Sequence, residues 1–337
     1  MSKYTVAVVG ATGVVGKELI TILEERKFPV KNLVPLASER SVGQFVSFHG
    51  DPVDVVLCDE KAFDGVDIAF FSAGSSVSKE FCPIAVKKGV VCIDNTSFYR
   101  MDEDVPLVVP EVNKDDLKQH KGIIANPNCS TAQLVLALKP LHDAARIKRV
   151  VVSTYQSVSG AGKSAMDELE AHCRANLNGQ DMAHKEFTHP MAFNVIPKID
   201  DFTDNGYTKE EMKMVNETRK ILGDDTVQLS ATAVRVPVFV SHSESVNVQL
   251  EKSLRVDEVR QLIDDFPGVQ VLDDPSKNEF PTPRDVAGKE DVYIGRIRQD
   301  ISQENSFDFW CVGDNLKKGA ALNAIQIAEA LQELSLV

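Results

Sequence analysis

The chain has 337 residues, 43% of them apolar and 26% charged, which is the composition of an ordinary globular protein and a length suited to two domains. Its formal net charge of −13 argues against nucleic acid or an anionic membrane surface as a partner. No apolar run reaches the roughly 18–20 residues of a membrane span and no signal-peptide pattern precedes the first strand. The six cysteines (Cys58, Cys82, Cys92, Cys129, Cys173, Cys311) lack CxxC pairing or a disulfide-framework spacing, so they read as reduced thiols of a cytoplasmic protein.

In chain order, Tyr4–Val9 predicts a buried strand, Val15–Arg26 a helix and Leu33–Ala37 a second strand. Val53–Cys58 and Asp67–Ser72 predict further strands, followed by a helix near Ser78–Lys88 and the strand Val90–Asp94. This alternation predicts an α/β domain, a Rossmann-type doubly wound parallel sheet with helices on its faces. From about Ile147 the texture changes: Arg149–Gln156, Thr226–Val240 and Ser245–Glu251 are β-rich with few intervening helices, as in a mostly antiparallel α+β domain. Lys317–Glu333 closes the chain as an amphipathic helix. The expected division is residues 1–128, rejoined by 315–337, around a second domain of residues 129–314.

Gly10-Ala11-Thr12-Gly13-Val14-Val15-Gly16 stands where the first strand turns into the first helix. Glycines there let the backbone approach a pyrophosphate, whose charge the free N–H groups of the helix N-terminus stabilise. The strand-before, helix-after context is what distinguishes a dinucleotide loop from a turn that only packs helix on sheet. At the end of the next strand stand Ser38-Glu39-Arg40-Ser41. Arg40 with two hydroxyls suits a 2′-phosphate and points to NADP, while Glu39 would serve NAD if Arg40 were turned away. Gly160-Ala161-Gly162-Lys163-Ser164 imitates the end of a triphosphate-binding loop, but the glycine that the full pattern requires is Ser157. No cluster with metal-ligand spacing appears.

Asn126-Pro127-Asn128-Cys129-Ser130-Thr131 lies between an apolar strand and a helical pattern, which puts Cys129 near a helix N-terminus. Such a position favours the thiolate. The other cysteines in apolar segments fit structural thiols. A nucleophilic cysteine on a dinucleotide-binding chain points to acyl-phosphate and aldehyde interconversion through a thioester, with a histidine as acid and base.

At this point the residues carry a family resemblance. GATGVVG, SFYRM, VVPEVN, NPNCST, YQSVSGAGK, AFNVIPKID, EEMKM, VRVPVFVSHSE and DNLKKGAA occur in this order, and over essentially its whole length the chain resembles the aspartate-β-semialdehyde dehydrogenases. The resemblance implies an NADP-dependent, reversible reductive dephosphorylation of aspartyl phosphate to aspartate semialdehyde, a step toward lysine, threonine and methionine. It implies a homodimer as well. Cys129 would be the nucleophile, His242 the acid/base and Gln156 the group orienting the substrate carbonyl. Arg235 would fork onto the substrate α-carboxylate, Glu210 would bind its ammonium, and Arg100, Lys213 and Asn128 would hold the phosphate. Ser159, Gly160, Pro190 and Asn315 would surround the nicotinamide; Gly10, Thr12, Gly13, Val14, Val15, Ser38, Arg40 and Ser41 would form the rest of the NADP site.

Elementary chemistry agrees with these roles. A carboxylate, an ammonium and a phosphate on one ligand need a planar bidentate cation, an anion and a second cationic site. Glu210 and Lys213 are three apart on a helical pattern and can face one ligand, although an arbitrary Glu/Lys pair at that spacing is more often a solvated ion pair. For His242 the bland alternative is a satisfied core histidine, and the other six histidines, His184 and His189 among them, read as structural. Two competing functions remain. One is a related acyl-phosphate reductase of the N-acetylglutamyl or glyceroyl type, whose cysteine motifs differ from NPNCST. The other is a non-catalytic NADP-binding protein on the same fold, which the presence of both Cys129 and His242 disfavours.

Overall fold

The computed structural model describes residues 4–337; residues 1–3, the start of the expected nucleotide domain, lie outside the described residues. The chain divides into two compact units, one holding the described residues up to Asn128 together with Ala320–Val337, the other Cys129–Gly319.

In the first unit, β1 (Tyr4–Val9) passes through a glycine turn into α1 (Val14–Glu25), and β2 (Val30–Ala37) follows. A hairpin of β3 (Phe45–Phe48) and β4 (Asp51–Asp54) precedes β5 (Val56–Leu57). Next come β6 (Ile68–Phe71), α2 (Ser75–Lys87), β7 (Val91–Asp94), the short α3 (Pro110–Asn113) and β8 (Ile123–Ala125). Six of these strands form one sheet in the order β5-β2-β1-β6-β7-β8, every neighbouring pair parallel. The strand order reverses beside β1, so a topological switch point opens at its carboxyl end, at Gly10. The segment Val53–Cys58, expected as one strand, is two. Val55 turns inward to 2% exposure and gives its N–H to the Gln44 carbonyl at 2.9 Å, which breaks the run.

The second unit contains α4 (Cys129–Ala145), β9 (Ile147–Gln156), α5 (Lys163–Leu177), α6 (Lys209–Leu222), β10 (Gln228–Arg235) and β11 (His242–Leu250). Then follow α7 (Val256–Asp264), β12 (Val269–Val271), α8 (Pro283–Val286), β13 (Val292–Gln299) and β14 (Ser306–Gly313). Its sheet runs β10-β9-β11-β14-β13-β12 and is mixed: both edge pairs are parallel and the three central pairs antiparallel. The strand expected over Thr226–Val240 ends at Arg235. Pro237 has no N–H for a ladder, Val238 bonds back to Val236 at 2.8 Å, and Ser241 takes a left-handed φ of +77° before β11 begins. Arg235 and His242 therefore stand at the ends of two strands.

One face of this sheet is covered by α4, α6 and α7, with Val150, Val152, Val246, Val248 and Phe309 buried. Along β9 and β11 burial alternates with exposure, and Tyr155 and Ser245 open outward. The chain then winds through a π-helical turn (Lys317–Ala321) into α9 (Leu322–Glu333). That helix returns to the first unit and packs its Ile325, Ala328 and Leu331 in the core shared by Val8, Leu19 and Leu23. Among the described residues no helix is long and apolar enough to cross a membrane.

Candidate functional site

At the switch point of the first unit the glycines are obligatory for geometric reasons. A Cβ on Gly16 would lie 2.1 Å from the Gly10 carbonyl oxygen, and Gly10 has a φ of +90°. Gly13 is the N-cap of α1, with no side-chain cap and no acidic residue in the first turn, so the Val14–Val15 end of the helix presents backbone N–H groups and positive potential. The donor set fits a dinucleotide pyrophosphate. Thr12 Oγ1 lies 3.3 Å from Ser41 Oγ, which ties the loop to the turn after β2. In that turn Ser38, Glu39 and Arg40 are exposed. Arg100, 7% exposed, donates to the Asn126 carbonyl (2.9 Å) and the Asn95 carbonyl (2.8 Å). Asn128 is buried and ends this unit.

In the second unit the strand directions gather one set of residues at one end of the sheet. Parallel β9 and β10 finish there with Gln156 and Arg235 in register; antiparallel β11 starts there with His242, opposite Gly313 of β14. Asn315 follows two residues later. The sequence assigned these residues to different roles, and the fold brings them together.

His242 is fully buried and has a defined orientation. The Ser157 backbone N–H donates to its Nδ1 at 3.1 Å, and Ser157 Oγ lies 3.1 Å from the same nitrogen. A backbone amide can only donate, so Nδ1 is an acceptor and the proton of the neutral ring sits on Nε2. Burial first, and the Arg235 guanidinium second, pull its pKa down to about 3, so the ring is neutral at physiological pH. Nε2 is buried without a hydrogen-bond partner among the described residues, and a buried donor of that kind needs an explanation in function. Behind the ring, Ser157 and Ser159 hydroxyls both donate to Asn315 Oδ1 (3.1 and 3.2 Å), and the Ser241 N–H donates there at 2.9 Å.

Arg235 is 7% exposed and gives one N–H to the Ser157 carbonyl at 2.7 Å. Burial lowers its pKa, while the nearby charges of Glu210 and Cys129 act in the opposite direction. Gly160 sits against both Arg235 and His242: a Cβ there would come within 3.3 Å of Arg235 Nη1 and 3.4 Å of His242 Nε2. Cys129 is the first residue of α4, where Pro127 keeps the preceding residue out of helical geometry and the helix dipole favours a thiolate. It is half-buried and packs on Gly319, whose added Cβ would lie 2.7 Å from Cys129 Cβ. The other thiols differ from it: burial pushes Cys58 up to about 12, and Cys82 and Cys311 far up as well.

Glu210 lies in the first turn of α6, whose start is fixed by a capping box between Thr208 and Glu211. Glu211 also accepts the Ala233 N–H at 2.9 Å and so docks the helix on β10. Glu210 Oε1 accepts from Gln156 Nε2 at 3.2 Å; its Oε2 accepts from Lys213 Nζ at 3.1 Å. Gln156, Glu210, Lys213, Arg235, His242, Ser159, Gly160 and Asn315 thus form one cluster, with the Cys129 charge felt at Arg235. Pro190 is exposed, its carbonyl accepts from Asn194 at 3.0 Å, and the next residue, Met191, is buried in a cluster with Val158 and Ile196. Sequence reasoning missed two residues. Ser157 appeared only as a broken phosphate-loop pattern, and Asp200, which accepts from Lys213 at 2.9 Å, carried no signal beyond its place in AFNVIPKID. Among the described residues no group of three or more His, Cys, Asp or Glu is arranged to hold a metal ion.

The buried neutral imidazole has a consequence for stability. Below pH 6.5, the ordinary value, the unfolded chain takes up a proton at His242 that the folded one refuses until about pH 3. The stability this site confers is complete above pH 6.5 and is lost as pH falls toward 3. His242→Gln should flatten the acid limb of the stability curve by a few kcal/mol at most, roughly, measured by urea unfolding between pH 7 and pH 4.

A glycine-looped parallel domain joined to a mixed-sheet domain that carries a cysteine and a buried histidine defines a dehydrogenase of the semialdehyde type. Residues 5–120 match the family model described as "Semialdehyde dehydrogenase, NAD binding domain", and residues 138–318 match "Semialdehyde dehydrogenase, dimerisation domain". The chain is 53% identical to the aspartate-semialdehyde dehydrogenase of Aquifex aeolicus (strain VF5), over 99% of both sequences. Its fold matches the crystal structure of aspartate semialdehyde dehydrogenase II from Vibrio cholerae complexed with ASA, with a TM-score of 0.96, 47% identity and 99% coverage of both chains. It also matches an aspartate semialdehyde dehydrogenase with NADP from Candida albicans, with a TM-score of 0.77, 26% identity and full coverage of both. The chain belongs to the aspartate-semialdehyde dehydrogenase family, oxidoreductases that use a nicotinamide cofactor.

Proposed function

We propose that this chain is an NADP-dependent aspartate-semialdehyde dehydrogenase that reduces L-aspartyl-4-phosphate through a thioester on Cys129. The observation that carries the reading is the fully buried Nε2–H of His242, without a partner among the described residues, beside Arg235. The Cys129 thiolate attacks the acyl carbon; the bond to phosphate breaks, and inorganic phosphate leaves as the thioester forms. The nicotinamide, when bound, supplies the hydride that reduces this thioester. His242 Nε2–H donates a hydrogen bond to the oxygen that becomes anionic at the tetrahedral stage, and collapse of that alkoxide releases aldehyde and thiolate.

Arg235 supports two N–H···O bonds to the substrate α-carboxylate, and Glu210 receives the ammonium, with Gln156 between them at the carbonyl. Arg100, Lys213 and Asn128 serve the phosphate; Ser159, Gly160, Pro190 and Asn315 serve the nicotinamide end. Purified protein given aspartate semialdehyde and phosphate should reduce NADP⁺, followed by absorbance, with no turnover when phosphate is withheld. Absence of turnover with either dinucleotide would sink the proposal.

Preference for NADP rests on Arg40, exposed beside Ser38 and Ser41 at the end of β2. Arg40→Ala should raise the KM for NADP⁺ by roughly 10–100-fold and change that for NAD⁺ little, because only the former has a 2′-phosphate to pair with. Equal losses would remove Arg40 as the discriminating residue.

The open face of the second sheet supports a homodimer. Tyr155 and Trp310 meet there with ring centroids 5.2 Å apart and planes tilted by 51°, and a cavity of about 360 Å³ lies beside Trp310 and Phe280. A mixed polar face that carries an exposed aromatic pair is a ready contact for a second copy. Trp310→Glu should shift the protein from dimer to monomer in sedimentation at micromolar concentration; an unchanged dimer would place the contact elsewhere.

A further inference from the structure

The loop that leads into α6 is fastened to both sides of the cationic cluster. Ile196 and Arg235 exchange both backbone hydrogen bonds, at 2.9 and 2.8 Å. Four residues on, Asp200 adopts a left-handed φ of +67°, a conformation that costs a non-glycine residue energy and persists where surroundings enforce it. Its Oδ1 accepts the Asp201 N–H at 2.9 Å, and its Oδ2 accepts from Lys213 Nζ, also at 2.9 Å. Lys213 in turn reaches Glu210, and Glu210 reaches Gln156. The result is a line of four side chains, Asp200, Lys213, Glu210 and Gln156, with Glu210 only 7% exposed.

We propose that Asp200 is a positioning residue for substrate binding: it anchors the Lys213 ammonium from outside, so that Glu210 keeps carboxylate charge for the substrate ammonium and Lys213 stays directed at phosphate. The inference rests on the reading of Glu210 and Lys213 as substrate contacts. The charge arithmetic supports it. With a single acid partner, Lys213 would close on Glu210 and neutralise it. With Asp200 present, Lys213 divides its ammonium between two carboxylates, so Glu210, which also faces the Arg235 charge, keeps more of its negative charge for a second cation. Burial works to raise the Asp200 pKa, yet the bond from Lys213, the Asp201 N–H and the Lys213 and Lys209 charges together outweigh it and hold the carboxyl below its ordinary value. The left-handed backbone aims a short carboxylate at Lys213 from a loop already pinned to Arg235, so one segment sets the separation of both cations.

Asp200→Asn is the test, because asparagine tolerates the left-handed region and the fold survives. In steady-state oxidation of aspartate semialdehyde, its KM values for the semialdehyde and for phosphate should rise roughly five- to tenfold, with kcat within about twofold and the KM for the dinucleotide unchanged. Added to Lys213→Gln, the same change should have no further effect, since Asp200 acts through that ammonium. Constants for Asp200→Asn within about twofold of the parent, or effects that multiply fully with those of Lys213→Gln, would overturn the proposal while leaving the substrate reading intact. If Lys213→Gln alone left both KM values unchanged, the reading of Lys213 itself would fail, and the proposal with it.

Discussion

Cys129→Ser should fold, bind NADP⁺ as before and lose turnover by roughly three to five orders of magnitude in the steady-state assay. A hydroxyl fits the position, but near neutral pH it is a far weaker nucleophile than a thiolate, and its ester is a poorer acyl donor than a thioester. The helix N-terminus that favours a thiolate cannot ionise an alcohol. His242→Ala should be milder, because the start of α4 and the Arg235 charge still favour the thiolate and only the hydrogen bond to the oxyanion is lost. Alkylation gives an independent readout: of the six cysteines, Cys129 should react first with iodoacetamide, and a substrate analogue should protect it. Cys82, Cys92 and Cys311 are buried and should lag. Inactivation that tracks modification of any other cysteine would falsify the assignment.

Arg235→Lys should reduce kcat/KM for aspartate semialdehyde by roughly 100-fold, with kcat itself affected. Lysine keeps the charge but loses the fork. It also loses the geometry that lets one N–H hold the Ser157 carbonyl at 2.7 Å while others face the substrate. Ser157 is the residue whose amide orients His242, so the substitution loosens the imidazole as well as the carboxylate clamp. Substrate bound slightly out of place relative to Cys129 reacts slowly, and so the loss reaches turnover as well as affinity. Near-normal constants would exclude Arg235 from the substrate site.

The class of fold was legible because its signals are local and periodic. Buried strands such as Tyr4–Val9 and the glycine turn at Gly10–Gly16 declare themselves within a few residues, and the parallel sheet follows from the alternation of strands and helices. The hairpin at Phe45–Asp54 was not legible, since its separation from β5 depends on where Val55 can be buried. The break at Pro237 carried a signal that the apolar run around it outweighed. For the site, motif order supplied names but no geometry. That Gln156, Arg235 and His242 share one end of a sheet follows from which strands run parallel, and this is decided by packing over long sequence separations. Ser157 acts through a backbone N–H, which every residue but proline possesses, so nothing in its side chain could announce the role. Asp200 depends on one backbone torsion, which local composition does not encode.

The direction of the Ser157 amide also affects how the catalyst is stored between turnovers. Because that N–H occupies Nδ1, the imidazole waits with its mobile proton already in place on the other nitrogen, and taking a second proton would set two N–H groups against each other. A reversible enzyme must begin each direction from the same resting state. In both directions Cys129 attacks first and an oxygen becomes anionic, and the same Nε2–H stands ready to donate to it. Because a hydrogen bond rather than a net proton transfer serves that oxygen, the two directions should show small and similar solvent isotope effects on their first turnover.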